Sequence, residues 1–407
     1  MKILFISAQY PPEAKGGGEL STHLIAQGLI DLGHDVGVVT DGERKEQKVV
    51  DGVPVRIIPM FLRQKPLFER AHSIASYRTF KRSMKDLRSF DIIHAHDFRS
   101  ALMISHLESS RAIVTARDYA QICGCTNNIQ YNGNIEQGCH GLHELWQCHR
   151  VHEASIARKP FRIWQYMYNK AYRKKSFASF RHQIFISYAQ RDLIARYQDI
   201  SKQHTAVIYN PIGKEYLSNP IEQGHAGNIL YTGRVEMYKG VRVLLEAWKG
   251  VAKEYPRAHL TIAGNGAQKE EYEKLASVWG LRYRTTFVSH IPYHRLRPLI
   301  DASSIVVAPH LWVEPFGRTV LEGMSRGKIV VVSSVGGPTE LIENNATGLL
   351  FERGSVQDLE DTLLRALTMG HYEAKQIGIA ARNVVREKFT QEIAARQHED
   401  FYQQALK

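Results

Sequence analysis

The stretch Asn228-Ile-Leu-Tyr-Thr-Gly-Arg-Val-Glu-Met-Tyr-Lys-Gly240 determines how this chain of 407 residues is predicted to fold. It begins with an apolar strand and continues with a loop that starts and ends with glycine. Apolar residues at helical spacing follow, and then a second strand, His259–Ala263, which ends at Gly264-Asn-Gly266. This order of strand, glycine-containing loop, helix and strand is typical of the opening of a doubly wound α/β domain.

The same order occurs at the N-terminus. Strands are predicted at Lys2–Ala8 and His34–Thr40. A helix between them runs from about Glu19 to Leu32, and Gly16-Gly-Gly18 precedes it. Short apolar runs continue in both halves, and they are typical of parallel strands buried on both faces. The sequence therefore predicts two Rossmann-like domains with parallel sheets. The further strands are predicted at Asp91–His96, Ala112–Thr115, Gln183–Ser187, Thr285–His290, Ser304–Pro309, Lys328–Ser333 and Gly348–Phe351.

A break in this pattern marks the border between the two domains. It lies at Tyr209-Asn-Pro-Ile-Gly213, and the predicted domains are residues 1–205 and 206–390. The last segment, 391–407, is predicted to be a helix that packs back on the first domain. Ligands of open α/β sheets bind outside the carboxyl ends of the strands. Because the glycine loops lie at such ends, we expect the two domains to face a central cleft.

The formal net charge of +12 favours an anionic partner. A nucleic-acid binder would need a recognised binding module, and because the sequence offers none we expect no nucleic-acid partner. The first residues do not match a signal peptide, and no apolar run approaches the ~20 residues of a spanning helix. We therefore expect a cytoplasmic protein that is at most peripherally attached to the inner face of the cell membrane.

Residues 154–182 form a basic aromatic segment with eight basic residues, seven aromatic residues and no acidic residue. A helix of this composition suits the interface of an anionic membrane. The alternative is a helix whose aromatic side chains pack in the core while its basic face is merely solvated. The sequence leaves both open.

Two carboxylates, Glu314 and Glu322, lie eight positions apart between two apolar strands. Pro315 and Gly317 predict a turn, and Arg318–Met324 is predicted to form the first turns of a helix. The backbone N–H groups there and the helix dipole favour an oxygen-rich or anionic ligand. A carboxylate in this helix can accept hydrogen bonds from the vicinal hydroxyls of a sugar or a ribose. The alternative is a pair of solvated glutamates that merely suit the dipole.

Arg234 and Lys239 lie five positions apart in a loop before a helix. Arginine offers a fork to phosphate oxygens and lysine a point charge, so the pair suits a diphosphate. The triple glycine Gly16–Gly18 allows a ligand to approach the backbone closely. The basic pair and the triple glycine are each common by themselves. They indicate a ligand site only when they occur together.

Together these motifs resemble the family 4 retaining glycosyltransferases of the GT-B fold. The resemblance covers nearly the whole chain and is strongest from 228 to 352. Its most specific element is the pair of glutamates with seven residues between them, in the context Glu314-Pro-Phe-Gly. The other elements are Pro11-Pro, Gly16-Gly17, Gly33-His-Asp-Val, Gly233-Arg234, Lys239-Gly240, Ile262-Ala-Gly264-Asn-Gly266, Glu322-Gly-Met, Gly336-Gly337, Glu340 and Asn345-Ala-Thr-Gly348.

The resemblance implies a role for each motif. Glu314 would face the donor sugar and the reacting centre, and Glu322 would hold the nucleotide ribose. Arg234 and Lys239 would bind the diphosphate and stabilise the charge of the leaving group, a contribution that is often the largest in catalysis. No metal or other cofactor would be required, and front-face attack would retain the anomeric configuration. The other donor contacts would be the backbone amides of Phe316, Gly317 and Arg318 at the sugar, the backbone around Ile291 at the base, and Gly16 and Gly17 over the diphosphate.

Four positions depart from the family pattern. Ser289 stands where a glycine is usual, His310 where a serine is and Ile329 where a proline is, and the fourth is Arg117. In Val114-Thr-Ala-Arg117-Asp118, the arginine stands where many relatives have a histidine beside the donor sugar. The identity of a general base is thereby left open, and Arg117 and Asp118 are both catalytic candidates. His94 and His96 lie at a strand end and are candidates for the acceptor side. The alternative is that they are packed side chains.

All four cysteines fall in a short insertion, residues 119–150. They are Cys123, Cys125, Cys139 and Cys148. Clustering in a cytoplasmic protein favours a metal over disulfides, and a closed structural zinc site is one prediction. The Cys-x-Cys spacing is tighter than is usual for zinc, so disulfides or free thiols are the alternatives. The insertion is expected to shape the acceptor pocket.

The sequence thus predicts a glycosyltransferase of the hexosyltransferase type. It would move a sugar from a nucleotide-diphosphate sugar to a glycan or lipid-linked acceptor, held by the first domain, in cell-envelope polysaccharide synthesis. An NAD-dependent oxidoreductase would need Gly-x-Gly-x-x-Gly after the first strand, but this chain has Gly16-Gly-Gly-Glu-Leu-Ser21. The alternative that stays open is a nucleotide-sugar epimerase of the same fold, which would convert the donor without an acceptor.

Overall fold

The computed structural model describes residues 1–13, 16–61, 68–84, 87–107, 110–123, 158–218, 220–221, 224–289 and 291–407. The chain forms two compact units. The first consists of Met1–Pro211 together with Gln391–Lys407, and the second is Ile212–Thr390. The first unit therefore extends to Pro211, beyond the predicted border at residue 205, and it includes the last segment of the chain.

In the part of the chain that the structure describes, each unit contains one sheet. The strands are β1 (Lys2–Ser7), β2 (Asp35–Asp41), β3 (Glu46–Val50), β4 (Val53–Ile58), β5 (Ile92–Ala95), β6 (Ala112–Ala116), β7 (His182–Phe185), β8 (His204–Val207), β9 (Asn228–Thr232), β10 (His259–Ala263), β11 (Thr285–Val288), β12 (Ile305–Ala308), β13 (Ile329–Ser333) and β14 (Leu349–Phe351). The order is β3-β4-β2-β1-β5-β6-β7-β8 in the first unit and β11-β10-β9-β12-β13-β14 in the second. All neighbouring strands are parallel except β3 and β4.

The described residues contain thirteen helices. Side-chain caps start some of them: Asp97 accepts hydrogen bonds from the backbone N–H groups of Arg99 and Ser100, and these satisfy N–H groups that have no partner within the helix. The helices are α1 (Gly17–Asp31), α2 (Glu69–Ser83), α3 (Phe98–Ile104), α4 (Lys159–Ala178), α5 (Tyr188–Ala195), α6 (Lys214–Ser218), α7 (Val241–Glu254), α8 (Lys269–Val278), α9 (Tyr293–Ala302), α10 (Arg318–Ser325), α11 (Val356–Thr368), α12 (His371–Lys388) and α13 (Gln391–Ala405).

The central strands are buried along their whole length. Every residue of β12 and β13 is buried, and both strands consist almost entirely of valine, isoleucine and alanine. Apolar runs without alternation are expected where helices cover both faces of a parallel sheet. The same pattern in β5 and β6 explains why apolar runs alone predicted these strands to within one or two residues.

The strand order reverses once in each sheet. In the second unit β9 lies beside β12, and the chain extends outward from each of them in opposite directions. In the first unit the same occurs between β1 and β5. Ligands of such sheets bind at the carboxyl ends of the strands at this switch point. In the second unit, residues 233–240 follow β9 and residues 309–317 follow β12, so these two loops are placed to form a binding site.

The β3–β4 hairpin and strand β8 were not predicted from the sequence. Val50 pairs with Val53 across a two-residue turn, where Asp51 and Gly52 both have positive φ values, 45° and 84°. Two such residues favour the turn that matches the twist of a hairpin. Strand β3 lies at the sheet edge and reads Glu-Gln-Lys-Val-Val, so it offers no apolar run to detect.

Helix α13 packs against α1 within the first unit. At Gly28 an added Cβ would lie 2.8 Å from the Cβ of Ala395 and 2.9 Å from the carbonyl oxygen of Gln391, so the two helices approach closely there. Phe401 and Tyr402 of α13 are part of the same apolar core as β1 and β2. The last segment of the chain is thereby an integral part of the first unit.

Candidate active site

At the switch point of the second unit, the loops after β9 and β12 are in direct contact. Gly240 has a φ of +74°, and a Cβ there would lie 1.7 Å from the carbonyl oxygen of Pro309. The backbone N–H of Leu311 donates to the carbonyl oxygen of Tyr238 at 2.9 Å. Only glycine combines the positive φ with this close approach. The glycine therefore brings the charged side chains of the two loops together.

Glu314 and Lys239, one from each loop, form an ion pair. Lys239 Nζ lies 2.5 Å from Glu314 Oε2, and the indole N–H of Trp312 donates to the same oxygen at 2.7 Å. The side chains of the pair are only 13% and 15% exposed. Burial by itself raises the pKa of Glu314, but Lys239, His310 and the two hydrogen bonds outweigh it and hold the pKa below its usual value. Glu314 is therefore an ionised carboxylate at neutral pH.

Two aromatic rings contact the two cations of the site. The Lys239 ammonium lies 5.0 Å from the centre of the Trp312 ring, and the Arg234 guanidinium lies 5.7 Å from the centre of the Tyr238 ring. The rings themselves meet edge to face, with centroids 5.3 Å apart. Cation–π contacts of this kind contribute about 0.5 to 2 kcal/mol each. They place both positive charges on one aromatic pair, an arrangement suited to the two phosphates of a diphosphate.

His310 and Trp312 belong to this site, although the sequence analysis gave neither a role. His310 Nε2 lies 3.8 Å from Glu314 Oε2. Burial and the neighbouring Lys239 lower the pKa of His310 to about 4 against the opposing effect of Glu314, so the ring is neutral at pH 7. Among the described residues, its buried Nδ1 has no hydrogen-bond partner. A signal was available, because both residues lie within four positions of Glu314 in one loop.

The glycine pair Gly336-Gly337 fixes the turn before α10. The backbone N–H of Gly337 donates to the carbonyl oxygen of Glu314 at 2.8 Å, and a Cβ at Gly336 would lie 2.6 Å from that oxygen. Gly317, with a φ of +97°, immediately precedes the helix. The backbone of residues 316–318 therefore lies at the N-terminal end of α10, where the dipole favours negative charge.

Glu322 is buried within α10. Arg318 Nη2 lies 3.4 Å from Glu322 Oε1 and 3.4 Å from the hydroxyl of Tyr293. Burial raises the pKa of Glu322 to about 7, against the opposing effect of Arg318. The alternative of a solvated carboxylate on the helix surface is therefore wrong for Glu322, and the largely buried Glu314 does not meet it either.

Ile291 follows β11 at the same edge of the sheet. It is partly buried, and two residues before it the hydroxyl of Ser289 accepts a hydrogen bond from Lys269 Nζ at 2.8 Å. Strand β11 is separated from β12 by β10 and β9. The structure thus brings Arg234, Lys239 and Glu314 into one cluster and places Ile291 further along the same edge.

In the first unit, Gly16 and Gly17 lie at the start of α1, in the segment that follows β1. The helix begins at Gly17, and Gly16 precedes it in an extended conformation. A Cβ at Gly18 would lie 3.1 Å from Cδ of Arg117. The predicted glycine segment and Arg117 are therefore neighbours within one unit.

Hydrogen bonds hold the Arg117 side chain to its own unit. Its Nη1 donates to Asn210 Oδ1 at 2.7 Å and its Nε to the carbonyl oxygen of His96 at 3.1 Å, while Nη2 lies 3.1 Å from His96 Nδ1. The adjacent Asp118 accepts a hydrogen bond from the backbone N–H of Ala120 at 2.8 Å. Burial raises the pKa of Asp118 to about 6, although this hydrogen bond opposes the shift. With this pKa, Asp118 is largely ionised at pH 7.

His94 and His96 are both buried. The two ring nitrogens of His94 are hydrogen-bonded, Nδ1 to the Tyr402 hydroxyl at 2.7 Å and Nε2 to Thr115 Oγ1 at 2.8 Å. The centre of the His96 ring lies 4.0 Å from that of His94, and the two ring planes are tilted by 34°. Burial lowers the pKa of both well below the usual value. This placement favours the alternative of packed side chains over the predicted acceptor-side role, and His96 serves to hold Arg117.

Three of the four cysteines, Cys125, Cys139 and Cys148, lie outside the described residues, as does most of the insertion 119–150. Cys123 is buried, with the Tyr166 hydroxyl 3.9 Å from its sulfur. Within the part of the chain that the structure describes, no three potential metal ligands are grouped together. The zinc site therefore stays a prediction.

Helix α4, which contains most of the basic aromatic segment, has two different faces. Tyr166 and Phe177 are buried, and the buried Arg173 donates from Nε to Glu69 Oε2 at 2.6 Å. The opposite face exposes Phe161, Trp164, Met167 and Tyr168, with exposed fractions of 44%, 53%, 48% and 36%. Some aromatic side chains of α4 therefore pack in the unit and others face outward. Each of the two predicted alternatives, a helix at a membrane interface and a helix with packed aromatic side chains, is met in part.

Two Rossmann-like units, with a carboxylate and two cations at the switch point of the second, define a GT-B glycosyltransferase. The family models agree. Residues 16–211 match the glycosyl transferase 4-like domain, and residues 221–384 match the glycosyl transferases group 1. The chain therefore belongs to this family of nucleotide-sugar-dependent glycosyltransferases, and the predicted family and enzyme class are confirmed. Both models describe transferases, which favours transfer over the epimerase alternative.

Known proteins are similar to the chain over most or nearly all of its length. It is 25% identical over 371 residues to an uncharacterised glycosyltransferase of Methanocaldococcus jannaschii, with 86% of this chain and 84% of the relative covered. Sucrose-phosphate synthase from Thermosynechococcus elongatus has a TM-score of 0.75 at 18% identity, with 99% of both chains covered. Anabaena HepE in complex with UDP-glucose has a TM-score of 0.71 at 19% identity, with 99% of this chain and 100% of that chain covered. These likenesses confirm the predicted GT-B fold.

Proposed function

We propose that this glycosyltransferase transfers a hexose from a nucleoside diphosphate sugar to a glycan or lipid-linked glycan, with retention of anomeric configuration, in cell-envelope polysaccharide or glycoconjugate synthesis. The observation that carries the proposal is the cluster of Arg234, Lys239 and Glu314 at the switch point of the second unit. Two cations beside a carboxylate match a donor with a diphosphate at one end and hydroxyl groups at the other. HepE of Anabaena, which has the same fold, was solved with UDP-glucose, and this supports a donor of that class.

In this proposal the second unit binds the donor. Arg234 and Lys239 bind the diphosphate and stabilise the negative charge that it acquires as the bond to the sugar breaks. Glu314 accepts hydrogen bonds from the sugar hydroxyls, Glu322 accepts them from the ribose, and the backbone at Ile291 contacts the base. The amides of residues 316–318 and the dipole of α10 add positive potential. These groups supply the charge neutralisation for which other transferases use a metal ion, and we propose that no metal is required.

The acceptor belongs to the first unit in this proposal. The acceptor hydroxyl attacks the anomeric carbon from the face that the diphosphate leaves. The bond from the acceptor oxygen to that carbon forms as the bond to the phosphate oxygen breaks, and the departing phosphate takes the proton. Attack and departure on one face retain the configuration. Asp118, whose pKa is raised to about 6, is the alternative that we propose as the acceptor of this proton in place of the phosphate.

The exposed face of α4 supports an acceptor at a membrane. The exposed side chains of Phe161, Trp164, Met167 and Tyr168 form an apolar patch on a segment with eight basic and no acidic residues. Apolar side chains that insert at the headgroup level, together with basic residues, are what an anionic bilayer surface attracts. None of the helices that the structure describes is long and apolar enough to cross a membrane. On the exposed apolar side chains and the basic residues of this segment, we propose peripheral attachment through α4.

Activity is tested by incubating the purified protein with a panel of nucleotide sugars and a lipid acceptor extract. We expect release of nucleoside diphosphate only when acceptor is present, and we expect Glu314→Ala to abolish it. Glu246→Ala is the matched control, because Glu246 forms an exposed ion pair with Arg242 in the same unit. Sugar isomerisation without release would favour the epimerase instead, and an inverted anomeric centre in the product would contradict retention.

Membrane attachment is tested by sedimentation with vesicles of anionic or of zwitterionic lipid. We expect binding to the anionic vesicles only, and we expect the double variant Phe161→Ser with Trp164→Ser to lose it. Tyr372→Ser is the control, since Tyr372 is an exposed aromatic residue on the second unit. Equal binding to both vesicle types, or full binding by the double variant, would contradict attachment through this face.

A further inference from the structure

We propose that Glu314 makes the donor site select the intact nucleotide sugar over the free nucleoside diphosphate, because its carboxylate competes with the diphosphate for Lys239. The inference rests on the donor site proposed above. It adds a specificity role to a residue whose proposed task is to bind the sugar, and it is carried by the contacts between the loops after β9 and β12.

The carboxylate and the ammonium group are already in contact. Lys239 Nζ lies 2.5 Å from Glu314 Oε2, so the lysine that would bind the diphosphate has a carboxylate as its neighbour. A lysine ammonium is a compact point charge on a flexible stem, and it can move from one anion to another. A diphosphate that binds in this site therefore draws Lys239 away from Glu314.

Separation of this pair is unfavourable because both side chains are largely buried, with 13% and 15% exposed. A carboxylate that loses its counter-charge in such surroundings is left poorly solvated. Any donor or product that takes Lys239 causes this loss. The sugar of an intact donor offsets it, since sugar hydroxyls donate hydrogen bonds to the vacated oxygen of Glu314. A free nucleoside diphosphate has no sugar at that end and offsets nothing.

Trp312 keeps the carboxylate in place during this exchange. Its indole N–H donates to Glu314 Oε2 at 2.7 Å, independently of where the lysine goes. The backbone of Glu314 is fixed as well, because its carbonyl oxygen accepts from Gly337 and leaves no room for a side chain at Gly336. Lys239 is thus the mobile partner, and the carboxylate stays where the sugar would meet it.

The exchange favours turnover. Transfer of the sugar converts the better ligand into the poorer one, because the product diphosphate holds Lys239 without any hydroxyl to satisfy Glu314. The ion pair then re-forms as the product leaves. Product release limits the rate of many enzymes, so a built-in competitor for the product has a direct kinetic use.

The test is a comparison of the dissociation constants of UDP and UDP-glucose, with GDP and GDP-mannose in parallel, for the wild type and Glu314→Gln. Glutamine keeps the size of the side chain and removes the charge that competes for Lys239. We expect the variant to bind the free nucleoside diphosphate about fivefold more tightly. A factor of this size is at the upper end of what an exposed ion pair contributes, and it is modest for a buried ion pair. We expect the nucleotide sugar to bind no more tightly than before, so the preference for it falls.

Two further variants keep this test decisive. Glu246→Gln, at the exposed pair with Arg242, is expected to change neither constant. If Glu314→Gln does not fold, Glu314→Ala removes the same charge and carries the same expectation. An unchanged or weaker affinity of the variant for the nucleoside diphosphate, with clear binding by the wild type, would overturn the selection role alone. If the wild type binds none of the four nucleotides, the proposed donor site itself is wrong.

Discussion

A fall in pH from 8 to 6 is expected to weaken the binding of a nucleotide sugar through Glu322. In the proposed donor site the ionised carboxylate accepts hydrogen bonds from two ribose hydroxyls, whereas the protonated form has a proton on one oxygen. With a pKa of about 7, the ionised fraction is about 0.9 at pH 8 and about 0.1 at pH 6. If only the ionised form binds the ribose, the apparent affinity falls about tenfold over this range, which is about 1.4 kcal/mol.

The assay is a calorimetric titration with an intact nucleotide sugar at several pH values between 6 and 8. The intact donor is preferable to the free diphosphate, because a terminal phosphate titrates near pH 6 itself. Glu322→Gln is the control and should bind more weakly than the wild type at pH 8 but show no dependence on pH. Glu314 does not confuse the result, since its pKa lies below the usual value. A flat wild-type profile, or the same profile in Glu322→Gln, would refute this reasoning.

Three further predictions concern packing, acid stability and the carboxylate of the site. Gly28→Ala is expected to lose about 1 to 3 kcal/mol in urea unfolding, since the new Cβ meets α13 at 2.8 Å, whereas Gly37→Ala has open space and should lose far less. The pKa of His398 is lowered by burial to about 4, so its contribution to stability is complete above pH 6.5 and is lost as the pH falls towards 4. Wild type should therefore lose about 2 kcal/mol more than His398→Gln between pH 7.5 and pH 5, and equal losses would contradict this. Trp312→Phe removes the N–H donor to Glu314 and is expected to lower kcat/KM about tenfold, the value of a hydrogen bond to a charged group. Trp279→Phe is its control, and equal activity of both variants would argue against the Trp312 contact.

Strands that are buried on both faces could be predicted from the sequence, because burial gives them apolar runs. The runs at β9 and β10 are mostly apolar and mostly buried, and their predicted and observed bounds agree. Strand β3 is different, because an edge strand leaves one side and one face to water and needs no apolar residues. Its pairing is set by the turn at Asp51 and Gly52, a local signal that counts of apolar residues do not register.

Only the charged residues of the candidate site could be predicted from the sequence. Arg234, Lys239 and Glu314 stand in motifs whose spacing indicates phosphate and sugar chemistry, and the structure brings these residues together. The roles of Trp312 and His310 depend on how the loop after β12 packs on the loop after β9. That contact is tertiary, so no spacing within either loop contains it.

The burial of Glu322 has the same origin. A glutamate near the start of a helix is ordinarily solvated, whereas burial within the second unit, together with a smaller effect of Glu215, raises the pKa of this one. The exposure of one face of α4 likewise follows from which side of the helix packs on the unit. Composition predicted a basic aromatic helix but not which of its rings face outward.

The central claim is that the cluster at the switch point of the second unit binds the diphosphate of the donor. The most direct test is the dissociation constant of a nucleotide sugar for Lys239→Ala, measured beside Lys253→Ala, which removes an exposed lysine from helix α7 of the same unit. We predict that Lys239→Ala binds at least about tenfold more weakly than the wild type, as expected when a buried charge partner is lost, and that Lys253→Ala binds normally. Normal binding by Lys239→Ala would contradict the claim.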